Sequence, residues 1–215
     1  MNVYVGGEDP VTRAIARRIV LHCAQNTEEL DFIDPATRYS GSAALGQIAK
    51  FVELGRLHPV VCVYDSDADC VVEILQKYAP AGWKTDFCAI NIAIREAEAW
   101  LFSDVGGFSK YLEVDRKYML EKKANSTKID DSTDYKISYF LMLEIAPLSR
   151  SRKIAEGLRP KTGGKKLSKP ADYNSLLLPF IEKYWDIDSA LINSQSLSRT
   201  VARVREVMDR FCEDK

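Results

Sequence analysis

The order of apolar patterns along the chain predicts an α/β fold, a parallel β-sheet flanked by helices with a mainly helical C-terminal part. Three observations carry it. Over the first hundred residues, short strand-like runs alternate with segments of helical spacing, the order of a β-α-β sheet. Residues 60–64 (VVCVY) form a continuous apolar run, as in a strand covered on both faces. After Asp104 the strand signals end, and helical segments alternate with polar stretches. The expected division is a core at 1–105 and a helical extension at 106–215 packed on it, with a basic loop at 149–170.

The elements follow in order. Residues 2–5 are a short β-rich run, and "GGEDP" follows it, with Pro10 suited to the first turn of a helix. Val11, Ala14, Ile15, Ile19 and Val20 recur at helical spacing to about Cys23. Residues 30–33 alternate as a second strand, and 43–54 read as one helix ended by Gly55. After the strand at 60–64, residues 70–78 are helical until Pro80. Residues 85–93, rich in Phe, Ile and Cys, form a fourth strand, and "REAEAWLFSD" is a short helix. "GGFSKYLEV" and 125–134 read as loops or short helices, and 135–145 as a helix. "RPKTGGKKLSKP" is rich in breakers and basic residues and reads as a mobile loop. Residues 175–184 are helical. The clearest helix is the last: Leu197, Val201, Val204, Met208 and Phe211 step by four and three, with Ser196 as N-cap and the stripe as core packing.

Composition narrows the class. With 215 residues, 46% hydrophobic and 28% charged, the chain is ordinary globular protein. No apolar run approaches the ~18 residues of a membrane span, and "MNVYVGGEDP" has no signal-peptide pattern. Five scattered cysteines without a CxxC pair suggest neither zinc nor a disulfide framework, and a reducing cytoplasm fits them. Charge is uneven. From 149 to 170, eight basic residues stand against Glu156 alone, a local +7 in a chain of net charge −1, which leaves −8 elsewhere. Such asymmetry suits either a polyanion-facing segment or a solvated loop.

In a parallel sheet, sites form outside the carboxyl ends of the strands. Three acidic groups fall there: Glu8 and Asp9 after the first strand, Asp65, Asp67 and Asp69 after the third, Glu96 and Glu98 after the fourth. Together they offer hard oxygen ligands for Mg²⁺ or Mn²⁺. Singly, each also reads as a helix cap or a solvated acid, and for Asp69 the cap reading leads. Other schemes fit less well. His22 and His58 stand in no nucleophile pattern. "DSDADC" has Cys70 and Gln76 where a calcium loop needs Gly and Glu. "VGGEDP" lacks the glycine spacing of nucleotide-binding loops. "VYDSDAD" also suggests a haloacid-dehalogenase-type phosphatase, although that pattern normally goes on to Thr or Val where this chain has Asp69.

A strand followed by an acid, then a strand followed by "DSD", resembles the Toprim domain of topoisomerases, primases and overcoming-lysogenisation-defect nucleases. "NIAIREAEAWLFSD" resembles, more specifically, a Toprim-like family of bacterial proteins associated with anti-phage defence and often found beside ATPase partners. The match covers roughly residues 1–105. The resemblance implies metal-dependent phosphodiester hydrolysis of DNA or RNA, in the cytoplasm, as the effector of a defence system. It implies catalytic roles for Glu8, Asp65, Asp67 and Glu98, and Mg²⁺ (or Mn²⁺) on Asp65, Asp67, Glu8 and Glu96. The expected nucleic-acid contacts are Arg95 beside the site and Arg150, Lys153, Lys161, Lys165 and Lys166 in the basic segment, with Arg13, Arg17 and Arg18 as further candidates. Phosphate contacts of this kind position a substrate without reading its sequence.

There is one departure. The family's strand-one Glu stands directly before a Gly, and here that place is Gly6, with the acid two residues on at Glu8. That is about 6–7 Å along an extended strand, a gap that a curled Gly6-Gly7 loop can close. Two alternatives stay open: a catalytically silent Toprim-like subunit acting through an ATPase partner, and a DxD-type phosphatase. A homo-oligomer is compatible with either.

Overall fold

In a computed structural model of the chain, residues 1–24, 26–35, 39–67, 69–80, 82–83, 85–121, 136–161 and 167–213 are described. Two units pack separately: Met1–Ala97 with Ser196–Lys215, and Glu98–Gln195. This division differs from the expected one at two places. The break falls before "EAWLFSD" rather than after it, and the last helix joins the first unit.

The first unit holds a parallel sheet of β1 (Asn2–Gly7), β2 (Asp31–Ile33), β3 (Val60–Asp65) and β4 (Cys88–Ala93), in the order β2-β1-β3-β4. The α/β reading of the sequence therefore holds. Strands buried on both faces carry unbroken apolar runs, and β3 and β4 are buried along almost their whole length. Side chains alternate between faces. Val60, Cys62, Tyr64, Cys88, Ile90 and Ile92 join one core with α3 (Ile48–Leu54) and α4 (Val71–Tyr78). The opposite face is covered by α1 (Pro10–Cys23) and α12 (Gln195–Glu213), where Cys23 Sγ meets the Val201 carbonyl at 3.6 Å and Arg203 reaches Asn91 Oδ1 at 3.3 Å. Val201, Val204 and Met208 are buried as their spacing predicts, and Phe211 stacks edge-on against Phe87, centroids 5.2 Å apart. Full burial of one such aliphatic side chain contributes about 1.5–3 kcal/mol.

Three local expectations are corrected. Residues 43–54 are not one helix. Gly46 and Gln47 interrupt it, giving α2 (Ser42–Leu45) and then α3, because glycine weakens a helix interior. The last helix begins at Gln195, so Ser196 lies inside its first turn instead of capping it. Asp69 does not cap α4. Cys70 holds the N-cap position, and the Asp69 N–H instead donates to Ser66 O at 2.8 Å, closing a turn.

The second unit is helical: α5 (Glu98–Ser103), α6 (Val105–Tyr111), α7 (Arg116–Glu121), α8 (Ile137–Phe140), α9 (Arg152–Gly157), α10 (Tyr173–Pro179) and α11 (Ile187–Leu191). Its centre is aromatic, with Phe108 4.7 Å from Phe180 and edge-on to Phe102 at 5.0 Å. The helix expected over 175–184 changes hand-hold partway. Pro179 has no N–H and crowds the preceding turn, and Phe180–Tyr184 continue as a π turn closed by the Trp185 N–H on Phe180 O. The expected loop at 125–134 lies outside the described residues. Among the described residues, no helix is long and apolar enough to cross a membrane.

Candidate metal-binding edge of the sheet

The strand order decides where the site lies. From β1 the chain passes to β2 on one side and then to β3 on the other, so the order reverses between β1 and β3. A crevice opens at the carboxyl ends of two such strands. Gly7 pairs with Val63, and Asp65 with Ala93, so the loops after β1, β3 and β4 leave the sheet at one edge. Glu8 follows β1 and Asp65 ends β3, one on each side of the reversal.

These two acids meet. Glu8 Oε1 accepts the Asp65 backbone N–H at 2.8 Å. The expected curl at Gly6-Gly7 is not what brings them together: both glycines are extended within β1, paired with Cys62 and Val63, and Glu8 reaches across from just past the strand end. Position 6 itself has no room for an acid. A Cβ on Gly6 would sit 2.7 Å from the Phe51 ring and 2.8 Å from Cys62 Sγ. Gly7 is equally confined, with Thr12 Oγ1 2.6 Å from where a Cβ would stand. The Glu8 carboxylate also acts on Tyr64. Burial above all, then the Cys62 thiol and, more weakly, Glu8, hold that phenol well above its ordinary range.

Asp9 has another task. It caps α1 through a capping box in which its Oδ1 accepts the Thr12 N–H at 2.9 Å and the Thr12 hydroxyl accepts the Asp9 N–H at 3.1 Å.

The loops after β3 and β4 lock together. Ser66 N–H donates to Ala93 O at 3.0 Å, Asp67 N–H to Arg95 O at 2.9 Å, and Arg95 N–H to Ser66 Oγ at 2.8 Å. Asp65 Oδ1 accepts the Ala97 N–H at 2.8 Å. Asp67 and Arg95 face each other across this lattice with φ of 50° and 62°. Left-handed backbone at residues other than glycine costs of order 1 kcal/mol and persists where the surroundings fix it; aspartate tolerates it better than most. The lattice presents the Asp67 side chain on an exposed loop beside the partly exposed Asp65.

Glu96 is buried in this unit. Glu98, one residue beyond Ala97, belongs to the second unit. It is buried, and its Oε1 accepts both Lys169 Nζ and the Tyr173 hydroxyl at 2.8 Å. Its Oε2 has no hydrogen-bond partner among the described residues. The rest of "REAEAWLFSD" is structural in the same unit. Trp100 and Leu101 are core, and Asp104 caps α6 through the Gly107 N–H and also accepts the Asp186 N–H.

The basic candidates divide in the same way. Arg95 lies in the first unit beside Asp67. Arg150, Lys153 and Lys161 are exposed in the second, while Lys165 and Lys166 lie outside the described residues. Arg13 is an internal cation rather than a surface one. Its Nε meets Asp34 Oδ2 at 2.9 Å, its Nη1 reaches Gly7 O at 3.3 Å, and both side chains are largely enclosed. The sequence reading missed Asp34. It stands one residue past β2 and so shares the carboxyl edge, and the position just after a strand was the signal that marks it.

The donors at this edge are carboxylate oxygens, the set that suits Mg²⁺ or Mn²⁺. Among the described residues, no group of three or more His, Cys, Asp or Glu side chains is arranged to hold an ion. Glu8 and Asp65 stand at the ends of neighbouring strands and are joined through the Asp65 main-chain N–H. Mg²⁺ keeps several waters and is commonly bound through one or two carboxylates together with substrate phosphates, so a pair of this kind fits it. Comparison with protein-family models, with curated proteins and with solved structures finds no match to this chain.

Proposed function

We propose that the chain is a divalent-cation-dependent phosphodiesterase acting on DNA or RNA, of the Toprim type that its sequence resembles, and that it serves as the effector of a bacterial anti-phage defence system. The observation that carries this reading is the meeting of Glu8 and Asp65 across the reversal of strand order, at 2.8 Å through the Asp65 N–H. Two acids from neighbouring strands at a sheet's carboxyl edge suit a site that handles a cation and a phosphate.

Glu8, Asp65 and Asp67 would hold Mg²⁺ or Mn²⁺, with the buried Glu96 behind them. A bound Mg²⁺ polarises a phosphate and lowers the pKa of a water. The chain's own residues do the rest. Glu8 accepts a proton from an attacking water at the carboxylate oxygen not engaged by Asp65. The lattice of Ser66, Arg95 and Ala97 fixes the direction in which Asp65 and Asp67 point, which matters because a misplacement of about 1 Å costs roughly a hundredfold in rate. Arg95, Arg150, Lys153 and Lys161 would contact backbone phosphates.

A second reading is favoured by one observation. Asp65 Oδ1 already accepts the Ala97 N–H, and no three-acid group is assembled among the described residues. Both facts suit a silent subunit that works through an ATPase partner.

Plasmid DNA and a structured RNA, each incubated with the full chain and Mg²⁺ or Mn²⁺, test the proposal. Cation-dependent cleavage that falls at least roughly a hundredfold in Asp67→Asn supports it. Asn keeps the left-handed backbone, so the melting temperature stays level. Cleavage undiminished in that variant removes the metal-site assignment. Cleavage absent alone and present with an ATPase partner supports the subunit reading, and a covalent phosphate on Asp65 supports a phosphatase.

A further inference from the structure

Among the described residues the sheet ends at β4. β4 pairs with β3 through the main-chain groups of Ala89, Asn91 and Ala93, and it has no strand on its other flank among the described residues. The alternation of a parallel ladder turns the N–H and C=O groups of Ile90 and Ile92 outward. Edge strands of this kind are normally blunted by charge, proline or a covering loop. Residues 88–90 of β4 form the floor of a groove of about 590 Å³ between α4 and α12, and Arg203 covers part of this edge. Its apolar lining includes Val71, Leu75, Trp83, Ile90 and Val207.

Two charges mark the groove. Arg203 reaches over the strand from α12, with Nη1 3.3 Å from Asn91 Oδ1 and 3.5 Å from the Ile90 carbonyl. Both partners are neutral, and no carboxylate pairs with Arg203 among the described residues. Packing around the guanidinium, and then the nearby Arg199, lower its pKa, so its charge is held without compensation. Arg210 differs, because Glu206 pairs with it at 2.5 Å. Asp86, exposed two residues before β4, lies at the other end of the groove, about four strand residues or ~13 Å from Ile90.

We infer that this groove takes an extended peptide segment of a partner protein, added to β4 as a fifth strand, with an acidic side chain set on Arg203 and a basic one toward Asp86. Strand addition draws affinity from main-chain hydrogen bonds and specificity from side-chain pockets, and the groove supplies both. Glu8, Asp65 and Asp67 do not line the groove, and none of the residues that do belongs to that site.

The test is a random heptapeptide library displayed on phage and panned against the full chain. Enriched peptides should combine β-branched or aromatic residues with an acid and, about four positions away, a base. Synthetic copies should slow amide exchange at Ile90 and Ile92 by roughly tenfold or more. Arg203→Gln should weaken them roughly tenfold, the worth of a charge-assisted hydrogen bond, and Arg203→Glu should turn the enriched acid into a base. Arg203→Gln can still donate to Asn91 Oδ1 and should keep the parent's melting temperature, whereas Arg203→Glu sets a carboxylate beside two carbonyl oxygens and should lower it. Failure to enrich any sequence overturns the inference, as does binding that leaves Ile90 and Ile92 unprotected or is indifferent to Arg203. Concentration-dependent protection of the same amides without peptide overturns it in favour of a second copy of this chain.

Discussion

Asp65 and Glu98 are both acids that follow the apolar strands, and the protein holds them in opposite ways. Asp65 is fixed by main-chain groups, with its Oδ1 on the Ala97 N–H and its own N–H on Glu8, and it stays partly exposed. Glu98 is buried and fixed by side chains, the Lys169 ammonium and the Tyr173 hydroxyl, with the Tyr173 ring also 4.7 Å beneath Lys169. A carboxylate held by the backbone keeps its charge available to something arriving from solvent. A carboxylate neutralised by a half-buried lysine has its partner already. The contrast therefore separates acids by the company they keep, which residue type and spacing alone do not reveal.

The largest expected effect comes from placing an acid at position 6. Gly6→Glu should lose roughly 4 kcal/mol or more, enough to prevent folding, because the new side chain meets Phe51 and Cys62 and carries a charge into the core. Chemical denaturation measures it. A stable Gly6→Glu chain would mean that the crevice between β1 and β3 is roomier than described. Next is Glu98→Ala, which strands the Lys169 ammonium and should cost about 3 kcal/mol. Glu98→Gln keeps the Tyr173 hydrogen bond and should cost visibly less. Equal losses would show that Tyr173, not the charge pair, holds Glu98.

The thiols extend the comparison. Burial raises Cys23 to about 11 and Cys88 to about 12, while Cys70 and Cys212 are exposed. A raised thiol keeps its proton in the folded chain after the unfolded chain has lost it. Stability from this source is therefore complete below about pH 9 and declines as pH rises from there toward 12. At pH 8, iodoacetamide should modify Cys70 and Cys212 at least about a hundredfold faster than Cys23 and Cys88, read by peptide mass mapping. Fast labelling of Cys88 would show that the β4 edge opens readily. The smallest effect is Asp67→Asn, which should change stability by less than about 0.5 kcal/mol, since the position lies on an exposed loop and asparagine keeps the left-handed backbone.

The sheet was legible in the sequence because continuous apolar runs report burial on both faces; 60–64 is such a run, and 88–93 is one broken only by the buried Asn91. The carboxyl-edge acids were legible for the same reason: a strand's end fixes where the next residue stands. What escaped depended on contacts made at a distance. The role of Gly6 needs Phe51, 45 positions on, and the division of "REAEAWLFSD" between two units needs Lys169 and Tyr173. Asp34 escaped although the end of its strand was legible, because its role depends on Arg13, 21 positions earlier. Asp69 was read as a cap since acids favour helix starts, but the β3–α4 loop uses its N–H for a turn instead.

The placement of α12 has a consequence for how the protein is made. The Asn91 face of the sheet is covered by a helix whose residues lie about a hundred positions after Ala97. At roughly 5–20 residues per second, a ribosome needs roughly 5–20 s to reach it after finishing β4. During that interval α1 alone covers that face of the nascent sheet, and the part that α12 will cover stays bare. A chaperone that shelters such surfaces has its longest opportunity on this chain during that wait.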